Sequence, residues 1–249
     1  MKNICLFIGM VYFVLFIPLA YANQDYNKAM AILARKPDHQ DYQEAKRLLE
    51  ASAADGYVKA YGQLGDMYTY GIGVNKSLKK GLTYYQLGDE KNDPSSLYSL
   101  YYLYHQGEFV NKDQEKAKGY LERAIKFYEL DAKGGDAKAQ SFLGYQYYIG
   151  DVLIKNIPRA IKYLNEAEKQ NDPDALYYLG QIYEFDYSDS ERAKDYYERA
   201  AKNGSKSAYI NLGMYYSDKG DTKKSLEALT KGCNLGSQDA CKLIPMISH

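Results

Sequence analysis

The chain has 249 residues, and its 32 Lys and Arg balance its 32 Asp and Glu. Neutrality supplies no global field toward nucleic acid or an anionic bilayer, which excludes a polyanion as the expected partner. Twenty-nine tyrosines and no tryptophan point to a recurring position that calls for this one aromatic.

The first 22 residues read as a signal peptide: Lys2 is a short positive start, Ile4 to Leu19 an apolar run, and Ala20-Tyr21-Ala22 an A-x-A cleavage site. Cleavage is expected after Ala22, because Pro18 ahead of small residues favours it over an uncleaved anchor. This places the mature protein in the periplasm or outside the cell, with no stable membrane insertion. Cys5 leaves with the signal, so Cys233 and Cys241 remain, and an even count in an exported chain suggests one disulfide. Residues 23–40 carry a short helix-like apolar set, Met30, Ile32 and Leu33, and read as a lead-in that ends near Pro37.

From residue 41 to the end the chain is a repeat array. An Ala-x-x-x-Leu-Gly core recurs at Ala60/Leu64/Gly65, Ser96/Leu100, Ala139/Leu143/Gly144, Ala175/Leu179/Gly180 and Ala208/Leu212/Gly213. A tyrosine follows each leucine by four residues, at Tyr68, Tyr104, Tyr147, Tyr183 and Tyr216. A second pattern alternates with the first: Ala45/Leu48/Ser52, Gly81/Tyr84/Gly88, Ala117/Tyr120/Ala124, Ala160/Tyr163/Ala167, Ala193/Tyr196/Ala200 and Ser225/Ala228/Gly232. Small residues at i and i+7 share a helix face and let helices approach closely. Each unit is thus a helix A followed by a helix B, and periods of this size signify a solenoid whose neighbouring units bury one another's apolar faces.

Capping chemistry places the same boundaries. Asp41, Ser77, Asp113, Asn156, Asp189 and Asp221 stand four residues before the helix B anchors, and Asp93, Asp136, Asp172, Ser205 and Ser237 three before the helix A anchors. Each is a good N-cap, and Pro94 and Pro173 suit the first helical position. Between Ala124 and Ala139 there are seven more residues than at the other junctions, enough to lengthen helix B by roughly 10 Å without rotating its buried face. The last element begins at Ala240 and is expected to stop at Pro245, forming a half unit that caps the array.

Small-x-x-x-Leu-Gly-x-x-Tyr, a loop glycine, a basic residue, a cap and Ala-x-x-Tyr together resemble the Sel1-like repeat family, a relative of the tetratricopeptide repeat. The likeness covers residues 41 to about 244, and five cores in frame make it specific. It implies an all-α, right-handed α/α superhelical solenoid used as a protein-interaction scaffold, often exported in bacteria and tied to envelope assembly, signalling or host contact. Tyr101 replaces the first-helix glycine in the second unit, and the fourth and fifth units lack the loop glycine. The pair Cys233 and Cys241 is similar to that of cysteine-rich Sel1-like proteins, and the resemblance implies a disulfide from one helix end to the next helix start.

Some of those relatives are described as penicillin-binding or β-lactam-hydrolysing, which gives an enzymatic or peptidoglycan-associated alternative. Ser77-Leu78-Lys79-Lys80 contains S-x-x-K, but S-D-N and K-T-G are absent, and Ser77 also fills the N-cap slot. His39, His105 and His249 fall in no metal or triad pattern, so no catalytic residue, metal or cofactor is expected. Lys76, Lys112 and Lys155 follow their leucines by twelve residues, as a basic ridge or as solvated loop lysines.

Helix A's other face is the candidate partner-binding surface. With Ala, Leu and Tyr turned into the core, positions +3, +6 and +10 lie opposite at 100° per residue. They place Tyr70, Tyr102, Phe142, Tyr145, Tyr178 and Phe185 on that face. These aromatics either form a concave groove for a protein segment, a peptide or a glycan, or tuck against adjacent helices.

Overall fold

The computed structural model describes residues 23–35, 37–107 and 109–247, and every regular element among them is helical. Residues 1–22, which the sequence predicts to be a signal peptide, and His249 lie outside the described residues. In chain order the helices are α1 (residues 23–34), α2 (His39–Ala54), α3 (Lys59–Tyr70), α4 (Leu78–Glu90), α5 (Pro94–Gln106), α6 (Gln114–Lys133), α7 (Ala137–Ile149), α8 (Ile157–Glu168), α9 (Pro173–Phe185), α10 (Ser190–Lys202), α11 (Lys206–Asp218), α12 (Thr222–Asn234) and α13 (Gln238–Ile247). The odd-numbered helices from α3 to α11 are the A helices, and the even-numbered ones from α2 to α12 are the B helices. No described helix is long and apolar enough to cross a membrane.

The chain divides into two compact units, Met1–Phe127 and Tyr128–His249, with the division inside α6. In the first unit, α3 packs on α4 and also on α5. Its core joins Ala29 of α1 to Leu49 of α2 and Leu64 of α3, with Tyr26, Ile32 and Leu33 covering the edge. In the second unit α7, α9 and α11 pack on α8, α10 and α12, and α7 also meets α9. Within each unit, then, successive A helices meet, α3 with α5 and α7 with α9, as helix-pair stacking requires. Burial of Leu143, Leu164, Leu176, Leu179 and Ile182 supplies that unit's apolar interior.

The Leu-Gly glycine explains how the two helices of a pair come so close. A Cβ added at Gly144 would lie 2.6 Å from the Leu164 side chain, at Gly180 2.5 Å from Tyr197, and at Gly213 2.7 Å from Leu229; at Gly65 it would overlap the Tyr85 ring. Each occupant sits four residues after its helix B anchor. The aromatic three residues after the anchor lies higher in the interface and stacks on the helix A tyrosine instead. Four such pairs recur, Tyr68–Tyr84, Tyr104–Tyr120, Tyr147–Tyr163 and Tyr183–Tyr196, with centroids 5.4 to 5.8 Å apart. The stacked Tyr104, Tyr147 and Tyr183 are half-buried, as is Tyr216, where the sequence pattern turned them fully inward.

Most predicted caps form, with two corrections. Asp93, Asp113, Asp136, Asn156, Asp172, Asp189 and Asp221 accept first-turn N–H groups at 2.8 to 3.1 Å. The cap of α2 is Asp38 and not Asp41: Asp41 sits at the third helical position and closes a reciprocal capping box with Asp38. Ser205 precedes α11 but makes no side-chain cap bond. The extra seven residues appear as helix, because α6 has 20 residues where the other B helices after α2 have 12 or 13. Pro245 does not end α13, which runs two residues further to Ile247. A proline removes one hydrogen bond from the last turn but keeps a helical φ, so a final turn survives it.

Candidate functional site

The A helices of the second unit bring part of the predicted aromatic set together. Tyr145 of α7 stacks on Tyr178 of α9 with centroids 4.7 Å apart, and Tyr177 meets Tyr178 edge-on at 5.5 Å. Neither Tyr145 nor Tyr178 is fully buried. Burial pushes the Tyr178 phenol well above its usual range, with the charge of Asp174 adding to the shift, so it stays a neutral donor. Phe142 takes the other reading offered by the sequence: its ring lies 3.8 Å from that of Tyr128, against the end of α6. Phe185, at the end of α9, is 64% exposed. In the first unit Tyr70 and Tyr102 are exposed as well, at 51% and 43%.

Sequence reasoning missed a polar layer beneath this face. The Tyr85 hydroxyl donates to Asp66 Oδ1 at 2.7 Å, and in the second unit the Tyr197 hydroxyl donates to Glu184 Oε2 at 2.6 Å, beside the Asn211 amide at 3.4 Å. Desolvation pushes the Asp66 carboxyl up to about 6, with a further push from the charge of Asp93, while the Tyr85 hydrogen bond acts the other way. Asp93 is wholly buried and capped by the Ser96 hydroxyl at 2.6 Å; burial raises its carboxyl too. The available signal was an aromatic four residues past a helix B anchor, opposite a glycine.

A second recurrent element was also missed. From α4 onward the residue just before each helix B anchor is basic, and its charge lies over the helix A tyrosine: Lys80 over Tyr68 at 5.1 Å, Lys116 over Tyr104 at 5.3 Å, Arg159 over Tyr147 at 5.6 Å, Arg192 over Tyr183 at 4.1 Å and Lys224 over Tyr216 at 5.3 Å. Cation–π attraction at such partly exposed sites contributes about 0.5–1 kcal/mol each. Clefts open beside three of these rings, next to Tyr68, Tyr147 and Tyr183.

The lysines of the supposed ridge have packing roles. A Cβ at the left-handed Gly71, Gly107 or Gly150 would lie 3.3, 2.7 or 2.7 Å from the Cβ of Lys76, Lys112 or Lys155, so each stem closes over a loop glycine. The Lys76 ammonium then sits 5.0 Å from the Phe109 ring, and Lys155 lies 3.5 Å from Asp186. Ser77 serves as a cap: its hydroxyl accepts the Lys80 backbone N–H at 3.4 Å, while the Lys80 ammonium turns to Tyr68. His39 begins α2, and the His105 ring tilts onto Tyr101 at 5.4 Å. Among the described residues no three His, Cys, Asp or Glu side chains are grouped to hold a metal ion. Cys233 and Cys241 form the disulfide that the resemblance implies, with Cα atoms 4.7 Å apart.

A family model described as "Sel1 repeat" matches residues 39–57, 58–91, 94–126, 137–172, 173–205 and 206–237. Among solved structures, the immunity protein Pa5087 of Pseudomonas aeruginosa is similar at 21% identity and TM-score 0.53, over 88% of this chain and 87% of that one. A Sel1 repeat protein of Oxalobacter formigenes is 26% identical with TM-score 0.48, over 93% of this chain and 87% of that one. A protective antigen of uropathogenic Escherichia coli with an SLR fold is 20% identical with TM-score 0.46 over 92% of this chain, which spans 57% of the antigen's length. No curated protein matches the chain.

Proposed function

Since the chain belongs to the Sel1 repeat family, we propose that it is an exported, non-catalytic scaffold that holds a protein or peptide partner on the concave face of its A helices. The observation that carries this reading is the Tyr145–Tyr178 stack, in which successive A helices share an aromatic surface that remains partly open. Exposed Phe185 on α9, and exposed Tyr70 and Tyr102 in the first unit, extend the same set of helix positions. Aromatics placed so suit interface anchoring, because they offer large area at low entropic cost. An immunity protein among the structural neighbours fits a binding role, though its likeness speaks to the fold alone.

The test compares the mature chain, residues 23–249, with a Tyr102→Ala, Tyr145→Ala, Phe185→Ala variant of unchanged helicity in crosslinked capture from the cell envelope. A protein retained only by the wild type supports the reading. Equal retention by both sinks it. N-terminal sequencing of the native protein tests export: Asn23 as first residue is expected, and Met1 in a cytosolic fraction overturns that part.

A further inference from the structure

We propose that the cleft between α2, the α3–α4 loop and α4 is a second binding site, selective for an acidic peptide segment. The cleft measures about 480 Å³ and is lined by His39 and Lys46 of α2, Lys80 of α4, the side-chain amides of Gln43 and Asn75, and the ring of Tyr68. Pockets that bury a ligand start at roughly 300 Å³, so this one has room for more than a single ion.

Charge gives the cleft its direction. No carboxylate lines it. The nearby acids are engaged elsewhere: Asp38 and Asp41 close the capping box of α2, and Glu44 is held by Arg47 at 2.7 and 2.8 Å. Glu50 approaches one of the lining cations, at 3.6 Å from Lys46. The two clefts of the second unit are built differently. One sets Lys133, Arg159 and Lys162 beside Glu129 and Glu166, and the other sets Lys169, Arg192 and Arg199 beside Glu168, with Arg199 bound to Glu168 at 2.6 Å. Both carry carboxylates in their lining, and the α2–α4 cleft carries none.

The wall of the cleft is also fixed in place. Gly73 takes a φ of 67°, and a Cβ there would overlap the Tyr42 ring, so the loop lies flat on α2. The Gln43 amide then donates to the Gly73 carbonyl at 3.1 Å. Lys80 is steadied over Tyr68. A preformed set of donors with one sign of charge recognises carboxylates with little ordering cost. The site uses the B-helix and loop side of the first unit, so it is independent of the A-helix surface proposed above.

The test is fluorescence anisotropy of labelled hexaglutamate and hexaglutamine on the mature chain at low salt. Hexaglutamate is expected to bind, hexaglutamine not, and binding should weaken as salt rises. Lys46→Met with Lys80→Met removes two charged donors and should weaken binding by about tenfold or more. Lys133→Met with Lys162→Met, in a cleft that Glu129 and Glu166 also line, should leave it unchanged. Equal binding of the two peptides, or equal loss in both double variants, overturns the proposal. So does a rise in melting temperature with millimolar inorganic phosphate where hexaglutamate fails to bind, which would mark a small-anion site instead.

Discussion

The phenol of Tyr85 crosses from α4 into α3 at Gly65, and its hydroxyl donates to the neighbouring Asp66 carboxylate at 2.7 Å. Glycine is required there by the ring and not by the backbone, since an added Cβ would overlap Tyr85. Gly65→Ala is expected to lower stability by about 1–3 kcal/mol through overpacking, even though alanine is the better helix former. Gly119→Ala is the matched control: it lies in α6, where an added Cβ meets nothing within 4 Å. That change should raise stability by about 0.5–1 kcal/mol. Urea unfolding of both variants settles the matter, and equal effects would remove the close-approach argument.

Asp66 makes stability depend on pH. Its folded carboxyl titrates at about 6, above the roughly 3.9 of an unfolded aspartate. Between these values the folded protein holds more protons than the unfolded chain. The stabilisation from this group is therefore full below about pH 4 and lost as pH rises through about 6. Asp66→Asn keeps an acceptor for the Tyr85 hydroxyl and removes the titration. Melting temperature plotted from pH 4 to 7.5 should be flatter for the variant, with its gain over wild type largest at pH 7.5. Parallel curves would show that Asp66 is an ordinary solvated carboxylate.

The helices and their order were legible because independent signals coincided on single residues. Asp136 caps α7 at 2.8 Å and stands three residues before buried Ala139, so polarity and apolar period place one boundary twice. The α2 start was misplaced because Asp38 and Asp41 are both good caps three residues apart, and only their reciprocal bonds show which one begins the helix. The aromatic face was legible as positions and not as contacts. One helix period places Phe142 and Tyr145 on the same side, yet Phe142 stacks on Tyr128 and Tyr145 on Tyr178. Phe142 meets Tyr128 because α6 runs on to 20 residues, a length that lies outside the repeat. Tyr85 and Tyr197 stayed hidden because each sits beside an equally aromatic residue, Tyr84 or Tyr196, and a small-residue pattern does not say which of two adjacent rings enters the glycine gap.

The Cys233–Cys241 bond ties α12 to α13, whose Ala240 is wholly buried next to Gly232. α13 has ten residues, a proline within it, and packs on α12 and α11. A helix that short is marginal in isolation, so the crosslink carries much of its docking. Closing a loop of this length contributes about 2.5 kcal/mol on the chain-entropy model. Cys233→Ser with Cys241→Ser should therefore act locally: amide exchange in α13 and the end of α12 accelerates, while α3 to α5 keep their protection. Mass-resolved hydrogen exchange on oxidised wild type and the double variant reads this directly. Acceleration spread evenly over all helices would mean that α13 is part of one cooperative unit, and no acceleration would mean that Ala240 and its neighbours dock it unaided.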